Sequence, residues 1–459
     1  MGSGSFQSGT ILPAGNSASF HALAVADVNN DGKLDIVYSY VGPYYSGLAD
    51  FIGNPSGGLF TFTSGGNYVL WSAVIPLTIT VAKNIVGLVA RDFNGDGVVD
   101  YAVTGSGVNN GFLVPVVVVL YRTIAGGVLS VSSTMLSNVN NNYSYIVCGD
   151  FNGDSSVDAA VGGFGTPSII PLLNNGITGF SQGPSIPIDG SLEALASGDL
   201  NGDGNDEIVA YSIQPAGLNL TYGDVSVVFG AASGQLGTPV NYYAGGSGSD
   251  SFLKIADVNG DGHLDVMSPS HWYRVMVLLG DGAGGLITNG RAQLGPSLST
   301  NPEGSCVGDL DRDGNPDVVT TGGVGAAVHV LLGIGTGGFG SATSYPGSFG
   351  GNVTLADLDG DEILDAALSA PGGGNLIVLL MGNGAGGFGA QANLGNGGIG
   401  LNGYMNALAI GDFNGDGRPD IVANEFGIWL LRVPGDRWRL FWLPTKCHSA
   451  GVPQCCSGR

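Results

Sequence analysis

Residues 92–100 read DFNGDGVVD, and seven further stretches repeat the phrase. They are 27–35 (DVNNDGKLD), 150–158 (DFNGDSSVD), 199–207 (DLNGDGNDE), 257–265 (DVNGDGHLD), 309–317 (DLDRDGNPD), 357–365 (DLDGDEILD) and 412–420 (DFNGDGRPD). Their starts lie 48 to 65 residues apart. Recurrence at such a period marks a repeat architecture, in which each unit buries its apolar face against the next.

One repeat shows the unit. In 352–388 a short apolar run (Val353–Ala356) enters the acidic phrase and a second (Ile363–Leu368) leaves it. Pro371 and three glycines turn the chain, a third run (Leu376–Met381) follows, and a Gly-rich hairpin ends at Phe388. Other third runs are Val225–Phe229, Val275–Leu279 and Val328–Leu332, and the hairpins GDGAGGL (280–286), GIGTGGF (333–339) and GNGAGGF (382–388) recur after them. Runs of five or six residues are strands rather than helices. Four such strands with glycine-rich hairpins predict an all-β fold, a β-propeller of four-stranded blades. Phe6 to Ala14 reads as a fourth strand without its first three, and Asn406 to Leu431 as three without a fourth. Joining them closes the ring with N- and C-terminal strands and counts eight blades; seven blades with one overhanging repeat is the alternative. The propeller is expected over residues 5–431.

Composition agrees. Of 459 residues, 83 are Gly, 43% are hydrophobic and 11% are charged, too apolar for a disordered chain. The net charge is −23, and 28 of the 37 acidic residues lie in the eight phrases. Eight divalent cations would offset 16 of those charges. No basic stripe exists to neutralise phosphates, so nucleic acid is not an expected partner. No apolar run reaches the length of a membrane span. The start, MGSGSFQSGTILPAG, lacks the basic and apolar regions of a signal peptide. Cys148 and Cys306 are expected as lone thiols.

The phrase has the chemistry of a calcium loop. Ca²⁺ takes six to eight oxygens. Positions 1, 3, 5 and 9 carry oxygen-bearing side chains and the carbonyl of position 7 adds a ligand. The expected sets are as follows. Asp27, Asn29, Asp31 and Asp35 act with the Lys33 carbonyl; Asp92, Asn94, Asp96 and Asp100 with that of Val98. Asp150, Asn152, Asp154 and Asp158 act with Ser156; Asp199, Asn201, Asp203 and Glu207 with Asn205. Asp257, Asn259, Asp261 and Asp265 act with His263; Asp309, Asp311, Asp313 and Asp317 with Asn315. Asp357, Asp359, Asp361 and Asp365 act with Ile363; Asp412, Asn414, Asp416 and Asp420 with Arg418. Up to eight Ca²⁺ are implied, because carboxylates crowded in metal-free turns repel one another. Gly at position 6 permits a sharp turn. Ser155 and Glu362 replace it, so those two loops are expected to be strained or differently shaped and to bind most weakly. Arg312, at position 4, is expected to point outward. An EF-hand is excluded: position 12 is not Glu (Tyr38, Val103 and Ala423 stand there in three loops) and the flanks are strands.

The phrases with their flanking strands resemble the FG-GAP/VCBS repeat family, found in integrin α-subunit heads and many bacterial surface proteins, over roughly residues 5 to 431. The resemblance implies loops between the first and second strands of each blade, on one rim of an extracellular, Ca²⁺-stabilised propeller used for adhesion or ligand binding. Some fungal members are lectins. A secreted or cell-surface monomer with an extracellular protein or glycan ligand is therefore expected, as an adhesion or interaction scaffold or, alternatively, a lectin. Integrin function does not carry over, since the partner chain and flanking domains are absent.

Catalysis finds little support. The five histidines form no zinc spacing. The single GxSxG, Gly179 to Gly183, falls at a hairpin where a nucleophile elbow needs a strand before and a helix after. A carbohydrate-active enzyme such as a polysaccharide lyase would need basic groups in the central funnel, and only 14 Lys and Arg exist. Aromatic residues are the better lead for a ligand. Tyr44 and Tyr45, and His271, Trp272 and Tyr273, sit in turns after the second strand, on the face opposite the acidic loops. After Leu431 the chain turns basic and Cys-rich, with Cys447, Cys455 and Cys456. Shifted by one base, codons for Asp436–Phe441 can spell Thr-Gly-Gly-Gly-Phe, the hairpin this repeat lacks. Residues 432–459 are read either as frameshifted or as a genuine short tail.

Overall fold

The computed structural model describes residues 19–28, 30, 32, 34–41, 45–52, 63–72, 87–109, 112–122, 128–135, 143–163, 166–174, 180–215, 221–230, 235–246, 253–270, 274–293, 302–322, 326–349, 352–369, 375–395, 407–413, 417, 419–424, 428–432 and 439–440. Among them every regular element is a strand, and the strands form eight antiparallel sheets that follow one another along the chain, over 19–72, 87–135, 143–187, 191–246, 254–293, 302–349, 353–395 and 407–440. Strands pair in chain order within each sheet. Seven sheets have four strands; in the third, Ile186–Pro187 adds a fifth by pairing beside Phe180–Gln182 on the strand Ser168–Asn174.

The acidic loop joins the first and second strands of every sheet, in one register. The residue before position 1 pairs with position 9 each time: Ala26 with Asp35, Arg91 with Asp100, Gly149 with Asp158, Gly198 with Glu207, Ala256 with Asp265, Gly308 with Asp317, Ala356 with Asp365 and Gly411 with Asp420. Position 9 is thus the first residue of the second strand. The apolar run at Ile363 suggests an earlier start, but the strand begins at Asp365, because the Ile363 N–H is turned to the Asp361 side chain instead of a ladder.

Strands covered on both faces read as near-continuous apolar runs. In the third sheet Ala159, Val161, Ile170 and Leu172 pack toward Ala102, Val117 and Val119 of the second, while Ala160 and Ile169 pack toward Ile208, Ala210 and Val228 of the fourth. The residue at position 2 of each loop is wedged into this packing. Val28, Phe93, Phe151, Leu200, Val258, Leu310, Leu358 and Phe413 are all buried. Phe93 meets Phe180 of the next sheet edge to face, with ring centroids 5.4 Å apart.

First strands of neighbouring sheets lie side by side, and the residue before a loop approaches the next repeat closely. A Cβ at Gly308 would come 2.6 Å from Leu364 Cδ1 of the seventh sheet, and one at Gly411 would come 2.6 Å from Leu34 Cδ1 of the first. The fourth place in the eighth sheet is held by Arg439–Leu440, paired with Leu431 and Arg432. Phe6 to Ala14, expected there, lies outside the described residues. Cys148 and Cys306 are free thiols in separate sheets. Among the described residues no helix is long and apolar enough to cross a membrane.

Candidate metal centre

Each loop is folded by its own carboxylates. In the loop 257–265, Asp257 Oδ1 accepts the N–H groups of Gly260 (2.7 Å) and Asp261 (3.2 Å), and Oδ2 accepts that of Gly262 (2.8 Å). The same three bonds recur on Asp92, Asp150, Asp199 and Asp357. Asp261 Oδ1 takes the His263 N–H (2.8 Å), and Asn259 Oδ1 takes that of Asp261 (3.0 Å). Side-chain oxygens therefore satisfy the backbone donors of the turn, as local Asx bonding allows.

Position 9 ties the loop to the sheet. In all eight repeats its carboxylate accepts the N–H of position 2, at 2.7 to 3.1 Å. In four repeats the other oxygen accepts an N–H from the end of the third strand or just beyond it: Asn174 to Asp158, Gly280 to Asp265, Gly333 to Asp317 and Gly382 to Asp365. Glu207 uses its longer reach differently, taking the Leu200 N–H on Oε2 and the Asn201 Nδ2 on Oε1. These position-9 groups are buried throughout. Desolvation pushes Asp158 and Glu207 up to about 7, and Asp317 and Asp365 up to about 6, against the pull of their backbone hydrogen bonds. At the exposed position 5, backbone hydrogen bonds from His263 and Asn315 hold Asp261 and Asp313 below the usual range.

The donor set fits a hard divalent cation. Asp309, Asp311 and Asp317 each bring a carboxylate oxygen to within 4.8 Å of the others, as do Asp357, Asp359 and Asp361. These are positions 1, 3 and 9 of one loop and 1, 3 and 5 of the next. All are oxygens, the ligand type Ca²⁺ selects, and carboxylates this close without a cation repel. The remaining expected ligands of loops 92–100, 150–158, 199–207 and 257–265 sit in the same register. Asn29, Asp31, Lys33, Asn414, Asp416 and Arg418 lie outside the described residues.

Two expectations change. Ser155 and Glu362 do not reshape their turns: φ is 66° and 67°, in the left-handed region, and their N–H groups reach Asp150 and Asp357 at 2.7 and 2.8 Å as glycine does elsewhere. The loop's hydrogen bonds over-determine the backbone, so the strain stays and the shape is kept. Arg312 is exposed but not merely outward, since its guanidinium donates to the Asp361 carbonyl of the next loop at 3.2 Å. Asn30, also at position 4 and at φ 58°, donates likewise to the Gly97 carbonyl of the loop after its own.

Other contacts between repeats were hidden from the sequence. Asp206 accepts the Asp150 N–H on Oδ2 (3.2 Å) and gives its own N–H to the Asp150 carbonyl (2.9 Å). Asn174 Nδ2 donates to the Phe93 carbonyl of the preceding loop. Their one signal was an acid at position 8 of a single loop. Ser181, of the GxSxG, lies in a strand with its hydroxyl on the Leu173 carbonyl (3.2 Å). Tyr45 opens the third strand of the first sheet; Tyr44, His271, Trp272 and Tyr273 lie outside the described residues.

Among solved structures the chain is similar to the Dos1 propeller (13% identity, TM-score 0.46, covering 76% of this chain and 75% of that one). It is also similar to BBS1N in complex with ARL6DN (11%, 0.46, covering 94% and 97%) and to the V. cholerae biofilm matrix protein Bap1 (15%, 0.39, covering 95% and 91%). At these scores the likeness carries no weight for chemistry or partners. No curated protein matches the chain. The model of the FG-GAP-like repeat matches residues 150–210, 257–320, 309–368 and 357–423, which hold six of the eight acidic loops. The loops at Asp27 and Asp92 share their register and the bond from position 9 to position 2. The repeated loop, its place between first and second strands and the four matched segments make the chain a member of the FG-GAP/VCBS repeat family.

Proposed function

We propose that the chain is an extracellular, calcium-stabilised β-propeller that serves as a binding scaffold and does no chemistry of its own. The observation that carries this reading is the position-9 carboxylate. Eight times a buried acid anchors an oxygen-rich loop at the same end of a sheet, an arrangement whose charge a divalent cation offsets. An eight-bladed ring is the architecture we favour, supported by Gly411 meeting Leu34 as Gly308 meets Leu364. The test is thermal melting. A cation bound only by the folded state adds RT ln(1 + [L]/Kd) per site, about 0.4–1.4 kcal/mol at millimolar Ca²⁺ for the affinities of extracellular modules. Several sites together should move the melting temperature markedly, so EDTA should lower it and Mg²⁺ should fail to restore it. An unchanged melting curve in EDTA would refute the calcium reading.

The ligand, a protein or a glycan, is assigned to the face opposite the loops. Antiparallel pairing puts the second-to-third-strand turns at that end of each sheet, where the sequence supplies Tyr44, Tyr45, His271, Trp272 and Tyr273. Binding energy concentrates in a few aromatic anchors. Trp272→Ala should weaken binding to any ligand found by glycan array or pull-down while leaving calcium-dependent melting unchanged. Normal binding by the variant would move the ligand site elsewhere, and a hit on the glycan array would favour a lectin over a protein scaffold.

A further inference from the structure

Six of the eight loops place Gly at position 4; the exceptions are Asn30 and Arg312. Both exceptions adopt a left-handed backbone, φ 58° and 63°, which a side chain makes costly. In each the side chain crosses to the following loop and donates to a backbone carbonyl there. Arg312 reaches the loop with the greatest need of support. That loop, 357–365, is the most acidic of the eight, with Asp357, Asp359, Asp361, Glu362 and Asp365, and it lacks the position-6 glycine.

The peptide unit between Asp361 and Glu362 is held from both ends. Its N–H lies on Asp357 Oδ2 at 2.8 Å, and its carbonyl accepts the Arg312 guanidinium at 3.2 Å. The orientation of this peptide bears on the positive φ of Glu362 and, two peptide units further, on the direction of the Ile363 carbonyl expected as a ligand. Arg312 is itself fixed by its own loop. The flanking N–H groups of Asp313 and Gly314 lie on Asp309 Oδ1 and Oδ2, at 3.2 and 3.0 Å, and Asp309 belongs to the neighbouring carboxylate cluster.

We infer that Arg312 is a positioning residue for the cation site of the next loop, and that it couples the two, so that calcium in loop 309–317 raises the calcium affinity of loop 357–365. The inference rests on the calcium reading above. Coupling of this kind is reciprocal: an ion in either loop orders one end of the same hydrogen bond. The positive charge of Arg312 opposes an incoming cation, but at an exposed, well-solvated position that repulsion is screened, while the hydrogen bond is directional. Asn30 makes a related crossing with an uncharged amide, but to the carbonyl at position 6 of the next loop rather than position 5.

The experiment is hydrogen exchange read by mass spectrometry on the full chain, titrated with calcium chloride, so that each loop reports its own midpoint. Loss of one hydrogen bond by a charged donor should raise the midpoint of the 357–365 peptide about three- to tenfold in Arg312→Gly, with that of 257–265 unchanged. Arg312→Lys, which keeps a long side chain with a charged donor, should hold the midpoint within about twofold. Asp309→Asn should raise the midpoint of 357–365 with Arg312 present and leave it unmoved in the Arg312→Gly background. A purely structural role would instead lower the calcium-free melting temperature, whereas Arg312→Gly relieves strain and should leave it equal or higher. An unmoved 357–365 midpoint in Arg312→Gly, or failure of Arg312→Lys to hold it, with the other loops titrating normally, overturns the inference. If no loop gains protection at millimolar calcium, the calcium reading itself has failed and the inference falls with it.

Discussion

Two carboxylates of one loop do different work. Asp265 is buried, with one oxygen on the Val258 N–H and the other on the Gly280 N–H. Asn in its place would present an NH₂ to one of those donors and leave it buried and unpaired, at a cost of about 1–3 kcal/mol. Asp261 is exposed and receives the N–H of His263. Asp261→Asn should cost under about 1 kcal/mol without calcium, yet weaken calcium binding as a lost charged ligand. Urea midpoints in EDTA, set beside calcium-dependent melting, should separate them: Asp265→Asn falls in both conditions and Asp261→Asn only with calcium. Equal losses in EDTA would mean that position 9 is no anchor.

At the scale of the loop and its strands, backbone strain is stored where glycine is missing. Ser155→Gly and Glu362→Gly remove a left-handed side chain while keeping the N–H bonds to Asp150 and Asp357. Relief of about 1–2 kcal/mol, reduced by the entropy glycine adds to the unfolded chain, leaves a net gain of about 0.5–1 kcal/mol each. The midpoint of urea unfolding should rise accordingly, and the two loops should fill at lower calcium; a fall would show that the serine and glutamate side chains support their turns. The strands and their order could be read from sequence because period and run length are local signals. The anchoring role of position 9 could not, since Gly280 stands 15 residues beyond Asp265 and Gly382 17 beyond Asp365. The apolar residue at position 2 was visible in all eight loops, but its burial between sheets needs the neighbouring repeat. Arg312 and Asn30 reach partners 49 and 67 residues away, which no repeat-internal pattern announces.

Across the molecule the position-9 groups act in concert with a net charge of −23. Burial raises the carboxylates of Asp158 and Glu207 to about 7 and of Asp317 and Asp365 to about 6, above their values in the unfolded chain. The folded state then binds more protons than the unfolded one. Its stability from these groups is fully present below about pH 4 and is lost as pH rises through about 6 to 7. In chelator-treated, calcium-free buffer the melting temperature should therefore fall between pH 5 and 8 (roughly the span of these shifts). Saturating calcium, which favours the ionised forms, should flatten or reverse the trend. A calcium-free melting temperature that climbs over this range would contradict the burial of these acids.

On the calcium reading proposed above, Asp265 and its counterparts also decide what kind of calcium protein this would be. Because their oxygens already hold the position-2 N–H of the loop and, on Asp158, Asp265, Asp317 and Asp365, a second backbone N–H from beyond the second strand, the anchored end of the loop is assembled by the polypeptide and not by an ion. Little ordering of that anchored end is left for binding to perform; what remains for an ion to order is the exposed turn at positions 3 to 7. Calcium bound there as proposed would be a fastener and carry no message: its loss would loosen the loop end of each sheet without redirecting it, and the opposite end would keep one unchanging surface.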